Sequence, residues 1–168
     1  MRWLSAALLF MLVSGCKKEP VVMYDFTTQT ITDSSCQIIA EDPTDWTYDQ
    51  YWTRTDSLFV LFNDNLTTSD TTTGWVRVEP LCPNPTSKSF TLKIHSTKPA
   101  KARFAIVNTD LEMVYYASRI VHGDTVIQKF DLSGYSSILP QQNYRLYYAF
   151  FTGKNRMYYR GHGDFRVE

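Results

Sequence analysis

The sequence predicts an all-β protein of 168 residues whose strands form an antiparallel sandwich. Three observations support this prediction. Apolar and polar residues alternate with a period of two, most clearly in residues 90–94, which is typical of a strand with one buried face. Turn-forming residues separate such segments, as in residues 108–110 and 122–124. No segment after residue 16 has an amphipathic helical pattern, and many short, evenly spaced strands are typical of sandwiches.

The N-terminal segment predicts a secretion signal. Arg2 precedes an apolar stretch, residues 3–13, that is too short to span a bilayer. Residues 12–16, with the sequence LVSGC, resemble the lipobox of bacterial lipoprotein precursors. The resemblance implies that residues 1–15 are a signal peptide and that Cys16 receives acyl chains such as palmitate. Each buried methylene contributes about 0.8 kcal/mol, so several chains hold a protein at a membrane without a spanning helix.

Residues 16–74 predict a tether followed by an N-terminal arm with one or two strands. By analogy with enteric bacteria, a lysine instead of an aspartate after Cys16 favours the outer membrane. The charged run at residues 17–19 also resembles the surface-export signals of Bacteroidota lipoproteins. The sequence leaves open whether the protein faces the periplasm or the outside. It also leaves open whether the arm packs on the sandwich or is only partly ordered.

Residues 75–168 predict the sandwich domain. Before it, residues 63–74 are nearly all Asn, Asp, Thr and Ser, which predicts a loop or linker. The apolar run at residues 58–62 predicts a strand covered on both faces. The two glycines that flank His162 predict a bulge or turn in the last hairpin. The other predicted strands span residues 75–79, 104–106, 113–117, 126–130, 144–151, 156–159 and 165–167.

Composition and motifs disfavour several classes of function. Seventeen basic and seventeen acidic residues give no net charge, and no basic cluster predicts a nucleic-acid surface. The chain has no Gly-x-Ser-x-Gly elbow and no phosphate-binding glycine loop. His95, His122 and His162 lack the spacing of metal ligands. We therefore predict no catalytic residue, no metal site and no cofactor, and expect a protein that is not an enzyme.

Residues 42–49 contain a cluster of three carboxylates. Asp42, Asp45 and Asp49 lie close in sequence to Trp46 and Tyr48, and carboxylates beside aromatic rings are found in sugar-binding and glycosidase sites. Such residues more often solvate and pack an irregular loop. The sequence favours this second, structural interpretation.

Two cysteines remain once Cys16 is lipidated. Cys36 and Cys82 would then lie in an oxidising compartment, where paired thiols tend to form a disulfide. The alternative is that each cysteine is buried separately as a small apolar residue.

Residues 78–86, with the sequence VEPLCPNPT, resemble the opening of the C-terminal sorting domains of Bacteroidota type IX secretion cargo. The resemblance covers about the last half of the chain and implies an immunoglobulin-like sandwich. The family usually has glycine where this chain has Leu111 and Asn143, and leucine enters the left-handed backbone region poorly. The later matching segments are residues 90–94, 102–116, 130–133, 144–150 and 156–167.

The chain has eleven tyrosines, more than a core of this size requires. Adjacent aromatic pairs at residues 115–116, 147–148 and 158–159 should each place one ring in the core and one outside, because neighbouring strand residues face opposite sides. The outer rings would form a flat face able to stack on sugars or seat a protein, unless they pack against the arm instead. The residues predicted for this aromatic face are Trp46, Trp52, Tyr116, Tyr148 and Tyr158.

Together these observations predict a lipid-anchored cell-envelope protein that acts as a binding or scaffolding module. Its expected partners are the membrane, through the N-terminal lipid, and an envelope protein or a glycan. Two alternatives are a cargo or component of type IX secretion, and a carbohydrate-binding lipoprotein of a glycan-uptake system.

Overall fold

The computed structural model describes residues 24–50, 52, 65–69, 74–152 and 156–168. The regular secondary structure of these residues consists of strands, which confirms the predicted all-β class. Within these ranges no helix is long and apolar enough to cross a membrane. The strands are β1 (Ile31–Thr32), β2 (Ile38–Ala40), β3 (Asn65–Ser69), β4 (Val76–Val78), β5 (Ser89–Ser96), β6 (Ala100–Val107), β7 (Met113–Val121), β8 (Asp124–Asp131), β9 (Gln142–Phe151) and β10 (Arg156–Val167).

Two sheets form the sandwich. One has the order β3-β10-β9-β6-β7 and the other has the order β4-β5-β8. Their strand pairs are antiparallel, except that β3 runs parallel to β10. Without β3, four strands face three, which is the strand division of immunoglobulin-like sandwiches. Strands β1 and β2 pair in a separate small sheet, here called the β1–β2 hairpin.

The space between the two sheets is filled by the inward residues of alternating strands. Strand β5 buries Phe90, Leu92 and Ile94 and exposes or half-exposes the residues between them, as its two-residue period predicts. The Phe130 ring of β8 stacks on Phe90 at 4.9 Å and meets Phe104 of β6 edge-on at 5.3 Å. Each such ring contributes roughly 1.5–3 kcal/mol by leaving water, so these contacts hold the two sheets together.

The five-stranded sheet is also covered on its outer face. Strand β9 is buried at every position from Tyr144 to Phe151, so both of its faces are shielded from solvent. A second apolar cluster lies there, in which Phe26 and Trp52 of the arm cover Tyr147 and neighbouring residues of β6, β9 and β10. Of the two alternatives for the arm, the described residues therefore follow the first, in which the arm packs on the sandwich.

Two predictions about local structure are wrong. Residues 65–69 form strand β3 and not a loop, because pairing with β10 uses backbone groups and needs no hydrophobic pattern. Gly161 and Gly163 lie within the continuous strand β10 and not in a bulge or turn. A Cβ on Gly161 would lie 2.1 Å from the Thr47 carbonyl oxygen, and one on Gly163 would lie 2.2 Å from the Trp46 ring. These glycines let the arm approach the sheet closely.

The two positions where the chain departs from the sorting-domain pattern, Leu111 and Asn143, have different backbone conformations. Leu111 has a φ of 60°, so it adopts the left-handed conformation that its side chain disfavours. Its side chain packs against the outer apolar cluster, which offsets part of that cost. Asn143 lies within strand β9 and is not among the residues with positive φ.

The predicted signal peptide, Cys16 and the strand at residues 58–62 lie outside the described residues.

Candidate functional site

A disulfide between Cys36 and Cys82 joins the arm to the sandwich, with 5.2 Å between the two Cα atoms. This confirms the predicted bond over the alternative of two separate thiols. The bond closes a loop over a sequence separation of 46 residues. In the chain-entropy account, such a bond stabilises the folded state by about 4 kcal/mol.

Asn84, the middle residue of the segment Pro83-Asn84-Pro85, connects that segment to the arm and to strand β10. Asn84 is fully buried, and its Nδ2 donates to the Thr30 carbonyl at 2.7 Å and to the Asp164 carbonyl at 3.2 Å. Its Oδ1 accepts a bond from the Arg166 amide at 3.1 Å. Asn84 therefore ties the arm to strand β10, and its contacts give this segment a structural role.

The Asp45 carboxylate is a buried link of the same kind. Its oxygens accept bonds from the Thr30 amide at 2.9 Å and the Asp164 amide at 3.1 Å. Burial, together with the nearby Asp164 carboxylate, raises the pKa of Asp45 to about 7. Arg145 donates two bonds of 2.6 Å to Asp164, and the Phe26 ring covers the guanidinium at 4.4 Å. With Asp45 5% and Asp164 2% exposed, this network offers no opening to a substrate.

The other two aspartates of the predicted cluster, Asp49 and Asp42, also make hydrogen bonds that hold the arm in place. Asp49 lies 2.8 Å from the Nδ1 atom of His162 and accepts a bond from the Trp52 indole. Asp42 accepts bonds from the amide and hydroxyl of Thr44 at 2.8 and 2.7 Å. These contacts agree with the structural interpretation of the cluster that the sequence favoured.

The predicted aromatic face is wrong for three of its residues, because they are buried. Trp46 stacks on Tyr148 with 6.3 Å between ring centroids, and Trp52 meets Tyr147 edge-on at 5.4 Å. Trp52 of the arm covers Tyr147, the ring that would otherwise face solvent. Tyr147 and Tyr148 are therefore both buried. Local alternation cannot reveal this, because it does not specify what lies over the sheet.

The two remaining residues of the predicted face do not form a patch with these rings. The Tyr158 side chain is half-buried against the inner core, and its hydroxyl lies 3.2 Å from the Ser96 hydroxyl. The Tyr116 side chain is 61% exposed on strand β7, and its neighbour Tyr115 is buried, as predicted for that pair. Tyr116 is thus the most exposed member of the predicted set.

A cavity of about 250 Å³ lies on the opposite side of the sandwich, between the β1–β2 hairpin and the outer face of the three-stranded sheet. We call it the hairpin groove. Two exposed isoleucines border it, Ile38 on the hairpin and Ile127 on β8. The other lining residues are Thr32, Cys36, Arg77, Glu79, Pro80, Cys82, Thr91 and Lys93.

Charged side chains continue from the groove across the sheet. Glu79 contacts the Lys93 ammonium at 3.1 Å and the Nε2 atom of His95 at 2.6 Å. Burial opposes ionisation of Glu79, but hydrogen bonds from these two residues outweigh it and lower its pKa. The Arg77 side chain has no hydrogen bond or ion pair within the part of the chain that the structure describes. Next to it, the Trp75 side chain is 54% exposed, with its ring 6.5 Å from that of His95.

Sequence reasoning missed this site, although a signal for it was present. Trp75, Arg77 and Glu79 alternate with buried Val76 and Val78, so the three polar or aromatic residues share one face of β4. The sequence pattern did not show that β4 pairs with β5 or where the β1–β2 hairpin lies.

No protein-family model and no curated protein sequence matches the chain.

Proposed function

We propose that the protein is a lipid-anchored envelope protein, retained at the outer membrane, whose sandwich is a permanent binding module. Its binding surface is the hairpin groove and the adjoining face of the three-stranded sheet. The observation that carries this proposal is the interlocking of the arm with the sandwich. By this we mean the Cys36–Cys82 disulfide, the buried hydrogen bonds of Asn84 and Asp45, and the packing of Phe26 and Trp52 on the five-stranded sheet. An anchor at Cys16 requires a chain that remains connected to its working domain, and the interlocking supports such a connection.

The interlocking argues against the sorting-tail alternative. A sorting tail is removed, and here a cut near residue 75 would leave the two parts joined by the Cys36–Cys82 bond. Separating the parts would also expose Phe26 and Trp52 on one side and Tyr147 on the other. Large apolar rings cost free energy when they return to water. We therefore expect the arm and the sandwich to unfold together as one unit.

The anchor is tested by replacing Cys16 with alanine in the native host. We expect the wild-type protein in the membrane fraction and C16A in the soluble fraction or retained as an unprocessed precursor, because the acyl chains supply the membrane affinity. An S35A variant is the matched control, since it changes an exposed residue of the arm and leaves both the acylation site and the disulfide in place. Membrane attachment of processed C16A would contradict the proposal.

A further inference from the structure

We infer that the outer face of the three-stranded sheet binds a carboxylated oligosaccharide, such as a uronic acid polymer. The inference rests on the proposed binding function and names its ligand class. The site consists of the hairpin groove with Trp75, Arg77 and Lys93.

The geometry of β4 and β5 sets out these side chains in a regular row. Successive outward residues on one strand are separated by about 6.6 Å, so they form an evenly spaced row on one face of the sheet. Arg77 pairs with His95 across the two strands, and Lys93 lies two residues before His95 on the same face of β5. The Trp75 backbone is fixed by a bond of 3.0 Å from its amide to the Thr97 hydroxyl. A flat ring and two cations therefore lie on one fixed surface.

The charges of this face favour an anionic ligand. Arg77, Lys93 and the exposed Lys129 outnumber the two carboxylates of this face. Of these, Glu79 already contacts Lys93 and His95, and Asp131 at the end of β8 accepts hydrogen bonds from Ser133. The Arg77 guanidinium is uncommitted within the described residues, and a guanidinium binds a carboxylate through two parallel hydrogen bonds. The exposed face of Trp75 offers the apolar surface on which a sugar ring can stack.

The position of the groove favours a sugar over an acidic peptide. The groove crosses the face of a sheet whose central strand, β5, is paired on both sides. An extended peptide gains affinity from free backbone groups at a sheet edge, and a sheet face offers none. A ligand on this face is held by side chains alone. The groove volume of about 250 Å³ is below the usual range for drug-sized ligands, so it suits one ring of a longer chain.

Titration calorimetry of the purified full-length protein tests this inference with matched probes. The probes are trigalacturonate, trimannuronate, the neutral trisaccharide galactotriose and hexaglutamate. We expect at least one of the uronates to bind about tenfold more tightly than galactotriose and hexaglutamate, because only a uronate combines a carboxylate with a stacking ring. Binding of neither uronate, or equal binding of the neutral or peptide probe, would overturn the inference.

Variants then locate the binding site. Trp75→Ala and Arg77→Gln should each weaken uronate binding about tenfold. The control Arg119→Gln removes an exposed arginine from β7, in the other sheet, and should leave binding unchanged. Circular dichroism melting verifies that each variant is folded. If uronate binding is the same in W75A and R77Q as in the wild type, the site assignment is wrong.

Acylation of Cys16 is measured by mass spectrometry on the same preparation, so that the two proposals fail separately. An acylated protein that binds no uronate contradicts the ligand class and leaves the anchored module in place. An unacylated protein that binds uronate through Trp75 and Arg77 contradicts the anchor and leaves the sugar site in place.

Discussion

The two outer faces of the sandwich differ in what covers them. On the five-stranded sheet, Phe26 and Trp52 of the arm shield the strands from solvent. On the three-stranded sheet, the β1–β2 hairpin borders a groove, and Trp75 and Ile127 remain more than half exposed. The difference teaches that many of the aromatic residues serve to attach the arm. A binding surface is better sought on the face of the three-stranded sheet, where the Arg77 side chain has no partner within the described residues and the Trp75 ring is exposed.

Loss of the disulfide should have the largest effect on this arrangement. The double variant C36A/C82A should lower the free energy of unfolding by about 4 kcal/mol, because the unfolded chain regains the entropy that the bond removes. Urea denaturation of variant and wild type measures the loss. Since both cysteines line the groove, uronate binding should weaken as well. Unchanged stability would show that the bond does not hold the arm in solution.

Two tryptophan variants compare the covered face with the open one. Trp52→Ala should cost about 3 kcal/mol, because it leaves a cavity between the arm and the outer face of the five-stranded sheet. Trp75→Ala should change stability by less than about 1 kcal/mol, because this side chain is mostly exposed. Urea denaturation curves measured side by side provide the test. Equal costs would contradict the distinction between the two faces.

Asp45 gives the attachment of the arm a pH dependence. Its pKa is raised from 3.8 to about 7 in the folded state, so its contribution to stability is fully present below about pH 4. That contribution is lost as the pH rises towards 7, because over this range the carboxyl of the unfolded chain ionises while the buried carboxyl still holds its proton. Relative to Asp45→Asn, the wild type should therefore lose a few kcal/mol of stability between pH 4 and pH 7.

The measurement is a series of urea denaturation curves for wild type and D45N across this pH range. Carboxyl groups whose pKa is lowered, such as Asp131 and Glu79, gain stability as pH rises, but both proteins share them. Only the difference between the two profiles reports on Asp45. Parallel profiles would show that folding does not raise the pKa of Asp45.

The sequence predicted the sandwich well, because strand period depends on local burial. Strands such as β5 and β8 follow the alternation of their residues, and the Cys36–Cys82 bond follows from an inferred oxidising compartment. The sequence could not predict contacts between distant segments. Burial of Tyr148, the need for glycine at position 163 and the pairing of β3 all depend on which segment lies alongside. The groove was missed for the same reason.

The most direct test of the central claim is intact-mass spectrometry of the protein taken from membranes of its native host. The claim is that an anchored chain keeps its sandwich as a working domain. The predicted result is one species that begins at an acylated Cys16 and retains the sandwich domain through Glu168. An unacylated chain, or one that lacks the region from about residue 75 onwards, would contradict it.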